Sequence, residues 1–195
     1  MTEPPSRRGA ERKAELLDAT LRIIARDGLA GLSMRGLAAE AGAPLGAVSY
    51  YFAGKDELVE AAFARHSEIE GARMAAMISR VGAGTLDEAA DAVAHFVVEG
   101  CTVRRRQLIT EYELMVESAR RPALQESTAV WLRSLRGQMV EAMTALGSAV
   151  PELDARLLLA VISGLEVDSL ADEHSSGDSQ PFYEIIRRHL STRHE

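Results

Sequence analysis

Apolar residues recur along most of the chain at steps of three and four, the periodicity of helices with one buried face. No stretch alternates apolar and polar residues as a half-buried strand does. Glycine and proline interrupt the periodic segments and mark their ends. The pattern therefore predicts an all-α fold of roughly nine helices. They are expected at about 10–27, 33–42, 45–52, 55–81, 85 to a joint at 104–106, 107–119, 123–146, 153–172 and 182–194.

Two of the predicted helices are short and adjacent. Ser33 is placed to cap the first of them, because its hydroxyl can accept a hydrogen bond from a free backbone N–H. Gly42 follows where the helix end needs positive φ, and Pro44 pre-sets φ for the start of the second helix, Leu45–Phe52. Two short helices joined by a glycine turn are typical of the helix-turn-helix, whose second helix enters the DNA major groove.

Charge and helix order suggest how the chain is divided. Residues 1–55 contain eight Lys and Arg and six Asp and Glu, a net charge of +2. Since the whole chain has a net charge of −7, residues 56–195 have a net charge of −9. A mildly basic head on an acidic body is typical of a DNA reader attached to a larger domain. We predict a three-helix DNA-binding head over 1–55, a linker helix over 56–81, and a larger helical ligand-binding and dimerisation body over 82–195.

Several classes of protein are disfavoured. Cys101 is the single cysteine, so no disulfide forms within the chain, and the histidines lack metal-ligand spacing. No Gly-rich phosphate loop or G-x-S-x-G motif appears. No apolar run reaches membrane-spanning length and no signal peptide is visible. We therefore expect a cytoplasmic protein that is not an enzyme and needs neither a metal nor a cofactor.

Three motifs carry a family resemblance. They are L-L-D-A-T-L-R-I-I-A-R-D-G from Leu16, L-S-M-R-G-L-A-A-E-A-G from Leu32, and G-A-V-S-Y-Y-F-A-G-K-D-E-L from Gly46. Together they resemble the TetR family of bacterial transcriptional regulators over most of the first sixty residues. The stretch E-L-M-V-E-S-A-R-R-P-A-L from Glu113 resembles a subset of the family's ligand domains.

The head departs from the family pattern at three positions. The family often has Ser or Thr where Pro44 stands, Thr at Ala47 and Tyr at Ser49. Proline removes a possible phosphate contact, and the Ala47 methyl can touch a thymine methyl but cannot hydrogen-bond. The operator sequence therefore cannot be transferred from a relative.

The resemblance implies a ligand-responsive DNA-binding regulator. The reading it favours is a homodimeric repressor that binds a near-palindromic double-stranded operator and is released by a small, mostly apolar effector. An activator or a corepressor-dependent regulator remains open, as does a helical binding protein without DNA activity. Neither the effector, the operator nor the regulated genes can be read from the residues.

Positions in the motifs predict three sets of site residues. The predicted DNA contacts lie on the two short helices and the start of the next: Ser33, Met34, Arg35, Pro44, Leu45, Gly46, Ala47, Ser49, Tyr50, Tyr51 and Lys55. The predicted effector contacts lie in the body: Phe96, Tyr112, Met115, Trp131, Gln138 and Glu166. The predicted dimer interface lies on the last two helices, as the resemblance implies: Leu158, Val161, Ile162, Leu165, Phe182, Ile185 and Ile186. Glu166 and Asp168 interrupt an apolar helix and could face a pocket, the interface or solvent.

Overall fold

The computed structural model describes residues 7–171 and 179–191. Within them every regular element is an α-helix, so the predicted all-α fold is confirmed. Residues 1–6, 172–178 and 192–195 lie outside the described residues, and with them the last residues of the predicted helix 182–194. The helices are α1 (Arg7–Gly31), α2 (Met34–Glu40), α3 (Leu45–Tyr51), α4 (Lys55–Ala83), α5 (Leu86–Cys101), α6 (Arg105–Ser118), α7 (Pro122–Ala145), α8 (Pro151–Ala171) and α9 (Gln180–Ser191).

Local chemistry accounts for the helix ends. Gly28 lies within α1 and leaves the helical conformation with φ 70° and ψ 174°, so α1 is kinked where the first helix is predicted to end. The segment from Gly28 to Ser33 is called the joint between α1 and α2. Thr85 and Glu88 form the reciprocal capping box at the start of α5: Thr85 N donates to the Glu88 carboxylate at 2.7 Å, and Glu88 N donates to the Thr85 hydroxyl at 3.3 Å. These ends follow from neighbouring residues alone.

The chain forms two compact units. Unit 1 comprises Met1–Ile69 and Ile109–Thr128, and unit 2 comprises Glu70–Leu108 and Ala129–Glu195. This division differs from the predicted boundaries, because α4 contributes to both units and most of α6 belongs with the head. The reason is visible in unit 1, where the Glu113 carboxylate of α6 accepts a hydrogen bond from Leu29 N at 2.8 Å.

Each unit has its own apolar core. In unit 1 the short helices α2 and α3 bury Leu37 and Val48, while α4 contributes Leu58. In unit 2, α5 packs against α8 and α9, and small residues such as Ala89 and Ala90 are fully buried on it. No helix in the described ranges has an apolar stretch long enough to cross a bilayer.

Candidate DNA-binding and effector sites

The geometry of α2 and α3 is that of a helix-turn-helix. The Ser33 hydroxyl caps α2 by accepting a hydrogen bond from Gly36 N at 3.0 Å. Gly42 has φ 56°, and Ala43 N donates to Ala38 O at 2.9 Å, so the chain reverses in a tight turn. Pro44 precedes α3 in an extended conformation and supplies no side-chain cap. The turn is thus built by backbone hydrogen bonds and one glycine.

Helix α3 has a buried face and an exposed face. Val48 and, just after the helix, Phe52 are buried in unit 1. Leu45 and Tyr50 lie on the other side, with 41% and 81% of their surfaces exposed. Tyr51 is half-buried and meets the Tyr50 ring edge-on at 5.1 Å between centroids. The exposed face is therefore available to a partner, whereas Tyr51 is partly committed to packing.

The other predicted DNA contacts divide in the same way. Most are exposed, and the remainder are half-buried. The exposed ones are Ser33, Arg35, Pro44, Gly46 and Ser49, and the half-buried ones are Met34 and Ala47.

The charge on this surface is favourable to DNA. Between Ser33 and Ala53 the sequence contains two charged residues, Arg35 and Glu40. Glu40 accepts hydrogen bonds from Arg26 at 3.1 Å and Arg22 at 3.4 Å, which hold its pKa below the ordinary value. The carboxylate stays ionised, and the two guanidinium groups offset its negative charge. Arg35 is exposed and makes no ion pair with the residues that the structure describes. An exposed guanidinium in the first turn of a helix suits a phosphate or a guanine edge.

Lys55 is held by the protein itself. Its ammonium group donates to Leu29 O at 2.8 Å, so one of its three donors is used within the protein. Leu29 is also held through its backbone N–H, which donates to the Glu113 carboxylate of α6. The joint between α1 and α2 is therefore gripped by α4 and α6 together, which local sequence reasoning did not predict.

The predicted effector residues fall in both units. In unit 1, Tyr112 and Met115 are half-buried on α6. In unit 2, Trp131 and Gln138 are half-buried on α7, and Phe96 is buried on α5.

Arg73 occupies the region around Phe96. Its guanidinium carbon lies 3.7 Å from the centre of the Phe96 ring, so this ring face is covered by a cation. An open cavity of about 410 Å³ adjoins the pair between α4 and α5, and Phe96 is the one predicted effector residue that lines it. Its lining is Arg73, Ala76, Met77, Arg80, Ala92, His95, Phe96 and Glu99.

Glu166 and Asp168, two of the acidic residues of α8, differ in their surroundings. Glu166 is only 4% exposed, whereas Asp168 is exposed. The Glu166 carboxylate and an Arg73 guanidinium nitrogen lie 3.6 and 3.7 Å from the position of a Cβ on Gly100. Glu166 therefore faces the interior of unit 2, close to a cation and to a glycine that leaves it space.

A buried charged network in unit 2 was not predicted. Glu70 is 4% exposed and accepts hydrogen bonds from Arg73 at 2.8 Å and from Arg104. Burial alone would raise the pKa of Glu70, but the two guanidinium groups outweigh burial and lower it. Its partners lie 3 and 34 residues away, and the distant partner gives no local sequence signal.

The predicted dimer residues are divided by burial. Leu158, Ile162 and Ile186 are at most 2% exposed within the single chain, so they form its core and have no surface for a second copy. Ile185 is 48% exposed, and the other three, Val161, Leu165 and Phe182, are half-buried. The exposed apolar surface of α8 instead includes neighbouring residues: Leu153, Leu157 and Val167.

Comparisons with known proteins agree with this architecture. The family model described as "Bacterial regulatory proteins, tetR family" matches residues 16–62. The model "Tetracyclin repressor-like, C-terminal domain" matches residues 84–192, more than half of the chain.

One curated relative is the HTH-type nicotine-responsive transcriptional repressor HdnoR of Paenarthrobacter nicotinovorans. It is 39% identical over 89 residues, which cover 46% of this chain and 43% of HdnoR. The chain thus spans less than half the length of this relative.

Solved structures match over nearly the whole chain. A TetR-family member from Streptomyces coelicolor A3, SCO1917, is 30% identical with a TM-score of 0.74, covering 92% of this chain and 98% of that one. The multidrug binding protein EbrR, solved with malachite green, is 30% identical with a TM-score of 0.69, covering 95% and 98%. The fold, the helix-turn-helix and both family models point to a DNA-binding transcriptional regulator rather than an enzyme, and the chain belongs to the TetR family of bacterial regulators.

Proposed function

We propose that the protein is a homodimeric repressor that binds a near-palindromic operator and is released by a small, mostly apolar organic effector. The observation that carries the DNA-binding part is the exposed face of α3, with Tyr50 81% exposed. It lies next to Arg35, which forms no ion pair with any described residue, and to Glu40, whose charge is offset by Arg26 and Arg22. Such a face can enter the major groove without an opposing carboxylate charge.

Operator binding is tested by selecting sequences from a random DNA library with the purified protein. We expect enrichment of an inverted repeat whose half-sites lie about one helical turn apart, since a two-fold dimer presents two copies of α3. The absence of any enriched sequence would contradict the proposal.

The dimer is supported by exposed apolar side chains on α8 and α9 of unit 2. Leu153, Leu157 and Val167 of α8 are 56%, 43% and 50% exposed, and Ile185 of α9 is 48% exposed. Exposed apolar residues grouped on neighbouring helices mark an interaction surface, and a self-complementary surface suits a two-fold dimer. We therefore shift the proposed interface toward these residues, and analytical ultracentrifugation of the DNA-free protein tests it.

An organic effector is supported by the relatives. HdnoR is named as nicotine-responsive, and EbrR has been solved with malachite green and with ethidium. We place the effector site on α6 around Tyr112 and Met115, which are half-buried. Titration of candidate compounds against the operator complex tests this part, since a true effector raises the Kd for DNA.

Coupling between effector and operator is proposed to run through the joint between α1 and α2. Leu29 is held through its carbonyl by Lys55 of α4 and through its N–H by Glu113 of α6. A shift of α6 would therefore move or release the joint beside the helix-turn-helix. By linkage, the factor by which the effector weakens operator binding equals the factor by which the operator weakens effector binding.

A further inference from the structure

The open cavity in unit 2 is formed by one face of α4 and one face of α5. On both helices the lining residues follow the spacing i, i+3, i+4 and i+7, which places them on a single side of each helix. They are Arg73, Ala76, Met77 and Arg80 on α4, and Ala92, His95, Phe96 and Glu99 on α5. The volume of about 410 Å³ is within the range of ligand pockets, roughly 300–1,000 Å³.

The deepest part of this lining is apolar. Met77, Ala92 and Phe96, here termed the apolar floor, have at most 6% of their surfaces exposed. Ala76 is exposed and adds a methyl group to the same lining. A ligand that rests its hydrocarbon part on the apolar floor removes apolar surface from water, which favours binding.

The charge of Arg73 is balanced within the protein. Its guanidinium donates to Glu70 at 2.8 Å and to Glu99 at 3.3 Å, and it also covers the Phe96 ring. The Arg73 side of the cavity therefore needs no charge from a ligand, and Glu99 has no surplus negative charge with which to attract a cation.

Arg80 is in a different position. It is exposed, and it forms neither an ion pair nor a side-chain hydrogen bond within the described part of the chain. The four acidic residues of the facing helix α5 each have another partner: Asp87 has Arg187, Glu88 has Thr85, Asp91 has His95 and Glu99 has Arg73. The positive charge of Arg80 is therefore not offset by any carboxylate of α5.

We propose that this cavity is a second ligand site, which binds a small organic anion. The carboxylate or sulfonate of the ligand pairs with Arg80, and its apolar body lies on the apolar floor. A guanidinium presents two parallel N–H donors that match a carboxylate. Because Arg80 is exposed, its ion pair adds modestly to affinity, so the floor supplies most of the binding and the charge selects the anion.

The second site is separate from the effector site proposed on α6. Tyr112 and Met115 belong to unit 1, whereas every lining residue of the cavity belongs to unit 2 and to α4 or α5. Binding of the anion goes beyond the proposed function and does not depend on operator binding.

The probe is naphthoate, an aromatic carboxylate, titrated into the full-length protein without DNA by isothermal titration calorimetry. Naphthamide has the same rings without the charge. Arg80→Gln removes the positive charge, whereas Arg80→Lys keeps the charge and loses the two parallel donors. Arg136→Gln, at an exposed arginine of α7, is the matched control. Ala76→Phe fills the cavity from an exposed position.

We expect the wild type to bind naphthoate about fivefold or more tightly than naphthamide, and Arg80→Gln to abolish this difference by weakening naphthoate alone. Arg80→Lys should retain part of the preference, and Arg136→Gln should leave both affinities at their wild-type values. Ala76→Phe should weaken both ligands about tenfold, because the new ring takes the volume that the ligand rings occupy. Melting temperatures should stay at the wild-type value, since both substituted residues are exposed.

Three results would overturn the inference. Wild-type naphthoate affinity in Arg80→Gln would show that Arg80 does not pair with the anion. Undiminished affinity in a folded Ala76→Phe, or in Ala76→Leu where phenylalanine lowers the melting temperature, would place the ligand outside the cavity. Failure of the wild type to bind any of naphthoate, octanoate and benzenesulfonate at millimolar concentrations would remove the site. The random-library selection tests the repressor separately, because these titrations contain no DNA.

Discussion

Gly28 provides a sharp test of how the joint between α1 and α2 is built. Its φ of 70° and ψ of 174° lie in a region that is essentially restricted to glycine. A Cβ at this position would also lie 2.9 Å from a carboxylate oxygen of Glu113, the side chain that accepts the Leu29 N–H. Gly28→Ala therefore strains the backbone and pushes away a helix-joining hydrogen bond.

The expected cost follows from these two contributions. Adopting a glycine-only conformation costs about 1–3 kcal/mol. Losing a hydrogen bond to a charged group costs about 1.5–3 kcal/mol. The smaller entropy of the unfolded alanine chain returns about 0.4–1 kcal/mol. We expect Gly28→Ala to lower the free energy of unfolding by about 2–5 kcal/mol.

Urea unfolding followed by circular dichroism at one protein concentration measures this loss. Gly137→Ala is the matched control, because Gly137 is inside α7 and its Cβ would meet nothing within 4 Å. This control should be stabilised by about 0.5–1 kcal/mol. In a Glu113→Ala background, Gly28→Ala should cost only the backbone strain, about 1–3 kcal/mol. If Gly28→Ala is as harmless as Gly137→Ala, the described joint is wrong.

Three further predictions concern DNA, assembly and pH. Arg35→Ala and Tyr50→Ala should each weaken operator binding by about 1–3 kcal/mol at fixed salt while leaving the circular dichroism spectrum intact. Leu157→Asp and Ile185→Asp should each give a folded monomer in ultracentrifugation, because each introduces a charge into an apolar interface. Both variants should also bind the operator more weakly than the wild type. The pKa of Glu70 is lowered from 4.5 in the folded state, so its stabilising effect is present above that value and is lost as the pH falls below it. Glu70→Gln should therefore flatten the fall in unfolding free energy below about pH 4.5, as measured by urea titrations.

Features governed by neighbouring residues could be predicted from the sequence. The Ser33 cap, the Thr85 and Glu88 capping box and the glycine turns depend on side chains within four positions of each other. Their chemistry is the same in any fold, so the helix order and the helix-turn-helix follow from local patterns.

Features that depend on distant partners could not be predicted. The hydrogen bond from Leu29 to Glu113 joins residues 84 positions apart, and the ammonium of Lys55 is held by a carbonyl 26 positions before it. In α8, apolar residues occupy both sides of the helix: Leu158 packs in the core while Leu157 is exposed. A helix that is apolar all round does not indicate which side meets the chain's own core.

Operator recognition by α3 can be measured by fluorescence anisotropy of a labelled operator duplex obtained from the random-library selection. We expect saturable binding of two chains per duplex with a Kd of about 10⁻⁸ to 10⁻¹¹ M at physiological salt. We also expect the affinity to fall about a hundredfold or more when one half-site is scrambled, since each half-site alone binds weakly. Equal affinity for the selected and the scrambled duplex would contradict sequence-specific operator recognition by α3.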